Sequence, residues 1–157
     1  MLRFAKQSRG AKPKTGGTQD QGWRKTPAMN KRVFLQPFGC GIDVVELPRF
    51  RRAMARGGRA FMRRVFTPQE EAYARARRRT RLLHLAGRFA AKEAVIKAIS
   101  QIDPRRMLAM NQVEVLNDRL GRPHVVLHGR SSKRVTVHIS LSHVDTVAVA
   151  SAIAVRA

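Results

Sequence analysis

The segment LLHLAGRFAAKEAVIKAIS, residues 82–100, constrains the chain more than any other. It reads as one continuous helix, and most of it is small and apolar. A helix with so little polar surface belongs in a core, so the other elements must be laid around it. Yet it holds Arg88, Lys92, Glu93 and Lys97. With only ten acidic residues in the chain, an acid set among three cations inside a core helix asks for a reason.

The flanking segments suggest what surrounds that helix. FGCGIDVV (Phe38–Val45) reads as a buried strand in which Gly39 and Gly41 permit close backbone approach. Pro48 opens a short helix over RFRRAMAR, expected to stop at Gly57-Gly58. TPQEE is a helix start: Thr67 as N-cap, Pro68 in the first turn, Glu70 closing a capping box, with the helix running to about Arg79. Beyond the long helix come QVEVL (Gln112–Leu116), HVVLH (His124–His128) and VTVHIS (Val135–Ser140), then the apolar TVAVASAIAV at the end. NDRLGRP, between the first two, is turn chemistry. Strand, helices, then strands at short spacing argue for an α+β fold, mostly antiparallel sheet packed around the long central helix.

A 157-residue chain buries a core without disulfides or a structural metal. Cys40 is its one cysteine, which excludes an internal disulfide and a cysteine-rich zinc site and fits a reducing cytosol. No apolar run approaches the roughly 20 residues of a membrane span, so a soluble, cytoplasmic protein with no membrane partner is expected. The formal net charge of +22 calls for an anionic partner: nucleic acid, a phosphorylated small molecule or an acidic protein. Residues 1–36 carry nine basic residues and one acid without periodicity. They read as a disordered basic arm before a domain over 37–157. A targeting segment, or a true start at Met29, are the other readings of that arm.

Most acids need no function: Glu70 and Glu71 suit the positive end of a helix, and Asp103, Glu114 and Asp118 fall near turns and strand edges. Asp43, inside an apolar strand, and Glu93, inside an apolar helix, are different, because a buried carboxylate is costly unless paired or metal-bound. One account is structural, with Glu93 paired to Lys97 one turn on. The other has Asp43 and Glu93 converging on a divalent cation, as two carboxylates plus phosphate commonly hold Mg²⁺. Lys97 would then reach the same phosphates, with Arg88 and Lys92 as a wider anion cradle.

GCGIDVVELPRF, RRVFTPQEEAYA, LAGRFAAKEAVIKAI, VEVLNDRLGRPHVVL and HISLSH, in that order, resemble the holo-acyl-carrier-protein synthase family of small 4′-phosphopantetheinyl transferases. The resemblance implies transfer of phosphopantetheine from coenzyme A to a serine of apo-acyl carrier protein in fatty acid biosynthesis, with release of adenosine 3′,5′-bisphosphate. It implies that Asp43 and Glu93 bind Mg²⁺, that Lys97 contacts the coenzyme A phosphates, and that His143 lies in the coenzyme A site. Arg88 and Lys92 match the motif and are expected at phosphate. Asp43, Glu93 and Lys97 form the expected catalytic set, with Glu93 helping to remove the serine proton. The family is typically trimeric, with sites between protomers. Arg79 and Arg81, with Arg77 and Arg78, are expected near the adenosine 3′-phosphate.

The resemblance also gives the charge an acidic partner. Arg49, Arg51, Arg52, Arg59, Arg63 and Arg64 are expected to dock the carrier protein, with Phe61 or Met54 as apolar anchors. Cys40, Val144 and Val147 depart from the family's usual aliphatic, polar and aromatic residues. The same chemistry on a polyketide or peptide carrier domain, and a non-catalytic nucleic-acid-binding module, are the alternatives. Against the second stand a lone tryptophan, a lone tyrosine and an intact carboxylate pair.

Overall fold

A computed structural model of the chain describes residues 38–129 and 135–156. The expected basic arm, and Met29 as a start, lie outside them. Strand β1 (Phe38–Glu46) is followed by helices α1 (Leu47–Val65), α2 (Pro68–Ala76) and α3 (Arg81–Ile102). Strands β2 (Val113–Asn117), β3 (Pro123–Leu127), β4 (Val135–His143) and β5 (Val147–Arg156) complete the order. The strands form two antiparallel sheets, one ordered β1-β5-β4 and the other β2-β3.

The long helix is central, as its composition requires. Its Ala90, Ala91, Ala94 and Ala98 are fully buried, and so are Ala148 and Ala154 of β5. Small side chains on both surfaces let helix and sheet approach closely. At β1 the approach is closer still. A Cβ on Gly39 would lie 2.0 Å from the Ala98 carbonyl oxygen, and one on Gly41 would lie 2.1 Å from that of Ala94. Only glycine fits at either place.

Side chains from α3 then fasten β1. The Gln101 amide accepts from Cys40 N (3.1 Å) and donates to Cys40 O (2.6 Å). Lys97 Nζ donates to Ile42 O at 3.0 Å. Backbone groups of β1 that its one partner strand leaves unused are satisfied by the helix it lies on.

Two local expectations are corrected. The first strand is not buried on both faces: it alternates, with Val45 in the core and Phe38, Ile42 and Val44 more than half exposed. The helix after Pro48 does not end at Gly57-Gly58. It kinks at Gly58 (φ 49°, ψ −140°), a left-handed backbone that favours glycine, and resumes to Val65. The capping box at Thr67 forms as expected: Glu70 N donates to Thr67 Oγ1, and Thr67 N to Glu70 Oε2. The helix it starts stops at Ala76, short of Arg79, and a single 3₁₀ turn over Arg78–Thr80 leads into α3. No described helix is long and apolar enough to cross a membrane.

Candidate active site

Asp43 sits on the face of β1 that meets α3, and Glu93 and Lys97 lie one turn apart on α3. The structure brings the three together. Lys97 Nζ is 2.8 Å from Asp43 Oδ1, so the lysine bonds the strand's carboxylate and the neighbouring carbonyl at once. The Glu93–Lys97 pair of the structural account is absent among the described residues: the lysine turns to Asp43 instead. Glu93 is partly buried, lines the same cleft as Asp43, and has no hydrogen-bond or ion-pair partner among the described residues.

The cleft continues along α1. Glu46 and Arg49 line it beside the acids, and Phe50, Phe61 and Phe89 form its apolar wall. These rings pack on one another, Phe50 on Phe89 at 5.3 Å and Phe61 stacked on Phe89 at 6.3 Å between centroids. Phe61 is therefore half-buried wall rather than a free anchor. Arg49, Arg52, Arg63 and Arg64 are exposed along α1, as are Arg51 and Arg59.

Lys92 corrects an expectation. It does not face the cleft. It is fully buried and forms an ion pair with Glu70 at 2.6 Å, also with no exposure. Its ammonium also donates to the Val65 and Met110 carbonyls. Burial pulls its pKa below the ordinary lysine value, and Glu70 opposes that pull. The anion beside Lys92 is a side chain of this protein, so no place remains there for a phosphate. Glu70 also accepts from Thr67 N and Val115 N, joining α2, α3 and β2. Glu114, buried next to it, accepts from Thr67 Oγ1 and lies 2.9 Å from His128 Nε2.

Arg88 and His143 do come together, but in a second cleft with Tyr73, His84 and Asn117. Arg88 is aimed by the Val115 carbonyl (3.2 Å) and Asn117 Oδ1 (2.8 Å). Burial, then Arg88, Arg77 and His143, hold the His84 imidazole below the usual histidine pKa. The two clefts share no lining residue. Within one chain, then, Arg88 and His143 line a different cleft from Asp43 and Glu93. Arg79 lines an arginine-rich groove with Arg75, Arg77 and Arg78, and Arg81 faces Met54, Arg59 and Arg63.

Sequence reasoning passed over Glu70, Tyr73, His84 and Asn117. Glu70 was hidden by its capping role. The signal that pointed to it is Lys92 itself, an internal helix cation with no acid four residues away in either direction.

Asp43 and Glu93 offer oxygen donors only, and no group of three or more acids, histidines or cysteines suited to a metal occurs among the described residues. Two carboxylates, one of them without a partner and half withdrawn from water, fit Mg²⁺, which fills its shell with water and phosphate oxygens. They do not fit a zinc cage.

The chain is also similar to known proteins along most of its described length. The model of the 4′-phosphopantetheinyl transferase superfamily matches residues 39–152. The holo-[acyl-carrier-protein] synthase of Geobacter sulfurreducens is 41% identical over 119 residues, 72% of this chain and 93% of the relative. That of Mycobacterium leprae is 42% identical over 120 residues, 71% of this chain and 92% of the relative. Among solved structures, the ACPS–CoA complex of Chronobacterium ammoniagenes is similar with a TM-score of 0.66 and 34% identity, over 76% of this chain and 98% of that one. The holo-(acyl-carrier-protein) synthase of Bacillus anthracis, in complex with CoA (3′,5′-ADP), gives a TM-score of 0.62 and 33% identity, over 76% of this chain and 96% of that one.

Proposed function

The chain belongs to the holo-[acyl-carrier-protein] synthases of the 4′-phosphopantetheinyl transferase superfamily, and from that premise we propose how its own residues carry the reaction. It transfers 4′-phosphopantetheine from coenzyme A to the serine of an apo-acyl carrier protein of fatty acid synthesis. The observation that carries this reading is Glu93, a partly buried carboxylate without a partner among the described residues, in one cleft with Asp43, which Lys97 pairs.

Asp43 and Glu93 would hold Mg²⁺, which when bound neutralises diphosphate charge and stabilises the departing bisphosphate. Lys97, half exposed, keeps Asp43 in place and presents its ammonium to the donor's phosphates. Glu93 accepts the proton of the carrier serine. The serine oxygen forms a bond to the β-phosphorus as the bond to adenosine 3′,5′-bisphosphate breaks. Phe50, Phe61 and Phe89 give the pantetheine arm an apolar wall. Arg49, Arg52, Arg63 and Arg64, exposed beside it, suit carboxylates of an acidic carrier.

The second cleft, with Arg88 and His143, takes the nucleotide end of the donor. Because one chain keeps the two clefts apart, a complete site needs a neighbouring copy. The outer face of the β1-β5-β4 sheet suits such a copy. Phe38 pairs with Val155 and Cys40 with Ile153, making a contiguous exposed apolar surface. A homotrimer with sites between protomers satisfies both observations. Cys40 is a free, exposed thiol on that face, which fits a cytoplasmic setting.

Intact-mass analysis of an apo-acyl carrier protein incubated with this protein, coenzyme A and Mg²⁺ tests the reading. The carrier should gain about 340 Da, the mass of the transferred group. A carrier left unmodified would defeat it. Sedimentation of the protein alone tests the assembly, and a monomer at micromolar concentration would refute it.

A further inference from the structure

The tip of the β2-β3 hairpin has no part in the reaction described above, yet it forms one lip of the second cleft through Asn117, Gly121 and Pro123. Asp118 holds that lip in an Asx turn. Its Oδ1 accepts from Leu120 N at 2.9 Å and Arg122 N at 2.8 Å, and its Oδ2 accepts from Arg122 Nε at 2.7 Å. Its carbonyl accepts from Gly121 N at 3.0 Å.

The turn sets the Gly121 carbonyl against Asn117, whose Nδ2 donates to it at 2.8 Å. At its other end Asn117 Oδ1 accepts from Arg88 Nη2, also at 2.8 Å. This is the shortest of the Arg88 hydrogen bonds; those to the Val115 and His84 carbonyls are 3.2 and 3.4 Å. The Asn117 side chain therefore joins the hairpin tip to a guanidinium on α3 that is only 5% exposed.

A carboxamide is what both contacts require. Oδ1 meets a group that only donates and Nδ2 one that only accepts, so the two ends cannot be exchanged. An aspartate would hold Arg88 as well, but it would face the Gly121 carbonyl with no proton to donate and would cancel the cation's charge. Among the described residues no carboxylate pairs with Arg88, and none lines the cleft. Asn117 thus orients the guanidinium and leaves its charge available to an anion.

We propose that Asn117 is a positioning residue for donor binding: tied to the Asp118 turn, it fixes Arg88 in the second cleft through a neutral contact, so that the cation's charge acts on the donor. The inference rests on the reading of that cleft as the place for the nucleotide end of coenzyme A.

Steady-state transfer with coenzyme A varied, beside urea unfolding, tests this on the full chain and its Asn117→Asp, Asn117→Ala, Asp118→Ala and Asp118→Asn variants. Asn117→Asp should raise the KM for coenzyme A roughly ten- to thirtyfold, with kcat within about twofold and an unfolding midpoint no lower than that of Asn117→Ala. Asn117→Ala and Asp118→Ala should each raise KM roughly three- to tenfold, and Asp118→Asn, which keeps an Oδ1 acceptor, should recover most of the loss. A purely structural role predicts the reverse order, with Asn117→Asp the mildest in KM, and that order would overturn the proposal. So would a fall in kcat as large as the rise in KM. Asp118 lies on an exposed turn away from the core, so an unchanged KM in Asp118→Ala would overturn the link to the hairpin even if the Asn117 variants failed to fold. A parent that transfers nothing from coenzyme A would defeat the reading of the reaction, whereas transfer with a KM insensitive to Asn117 would defeat this proposal alone.

Discussion

Two lysine–carboxylate pairs hang on α3, from positions only five residues apart. Lys92 meets Glu70 at 2.6 Å with neither side chain exposed, whereas Lys97 meets Asp43 at 2.8 Å with side chains 48% and 17% exposed. The distances are nearly the same and the surroundings are opposite. The closed pair is saturated: Glu70 accepts from two backbone amides, and Lys92 donates to two carbonyls. The open pair has a partnerless acid, Glu93, in the same cleft. A fully satisfied ion pair fixes structure, while one left open to a cleft can exchange its partner for a ligand.

Breaking the closed pair should do the most damage. Lys92→Met leaves the Glu70 carboxylate buried without its cation, and about 3–5 kcal/mol of stability should be lost in urea unfolding. Removing both charges with Glu70→Leu and Lys92→Met should recover much of it. If the single variant unfolds like the parent, the pair is not the clamp described.

The next effect comes from forcing helix and strand apart. Gly41→Ala drives a Cβ to 2.1 Å from the Ala94 carbonyl oxygen. Overpacking of this kind costs about 1–3 kcal/mol. Because Asp43 is two residues on, transfer activity should fall further than stability does, which a comparison of initial rates with unfolding midpoints would reveal.

Lys97→Met should push that imbalance further toward activity. The pair is open to water, so unfolding should shift by less than about 1 kcal/mol. The transfer rate should nonetheless drop roughly ten- to a hundredfold, from loss of a cation at the phosphates. Equal losses of stability and rate would erase the distinction between the two pairs.

The smallest effect is in pH. His84, near Arg88, has its folded-state pKa held below the ordinary 6.5 by burial first and then by its cationic neighbours. Above that value both folded and unfolded histidine are neutral, and the contribution is intact. As pH falls below it the unfolded chain takes up the proton first, and stability is lost. Melting temperature should therefore decline between pH 7 and 5, and less steeply in His84→Gln.

The contrast between the pairs was only half legible in the sequence. Asp43 and Glu93 stood out because each is an acid inside an apolar element, and the structure puts both in one cleft. The elements themselves were legible from the capping box at Thr67, the proline starts and the alternation of β4 and β5. Lys92 was not legible. It adjoins Glu93 in sequence, but adjacent helical residues point about 100° apart, and its partner is 22 positions away in the guise of a cap. The exposed face of β1 was missed for a similar reason. Its apolar residues look buried until the register on β5 shows that Gly39, Gly41 and Asp43 take the helix side.

One measurement bears most directly on the division of labour: the transfer rate of Glu93→Gln, read from the mass of the carrier protein, beside its urea unfolding midpoint. An unpaired carboxylate that works only on substrate should cost nothing structural when neutralised. The midpoint should match or exceed the parent's while the rate falls by roughly 10²–10⁴-fold. Undiminished transfer, or a rate lost only in step with stability, would contradict the account.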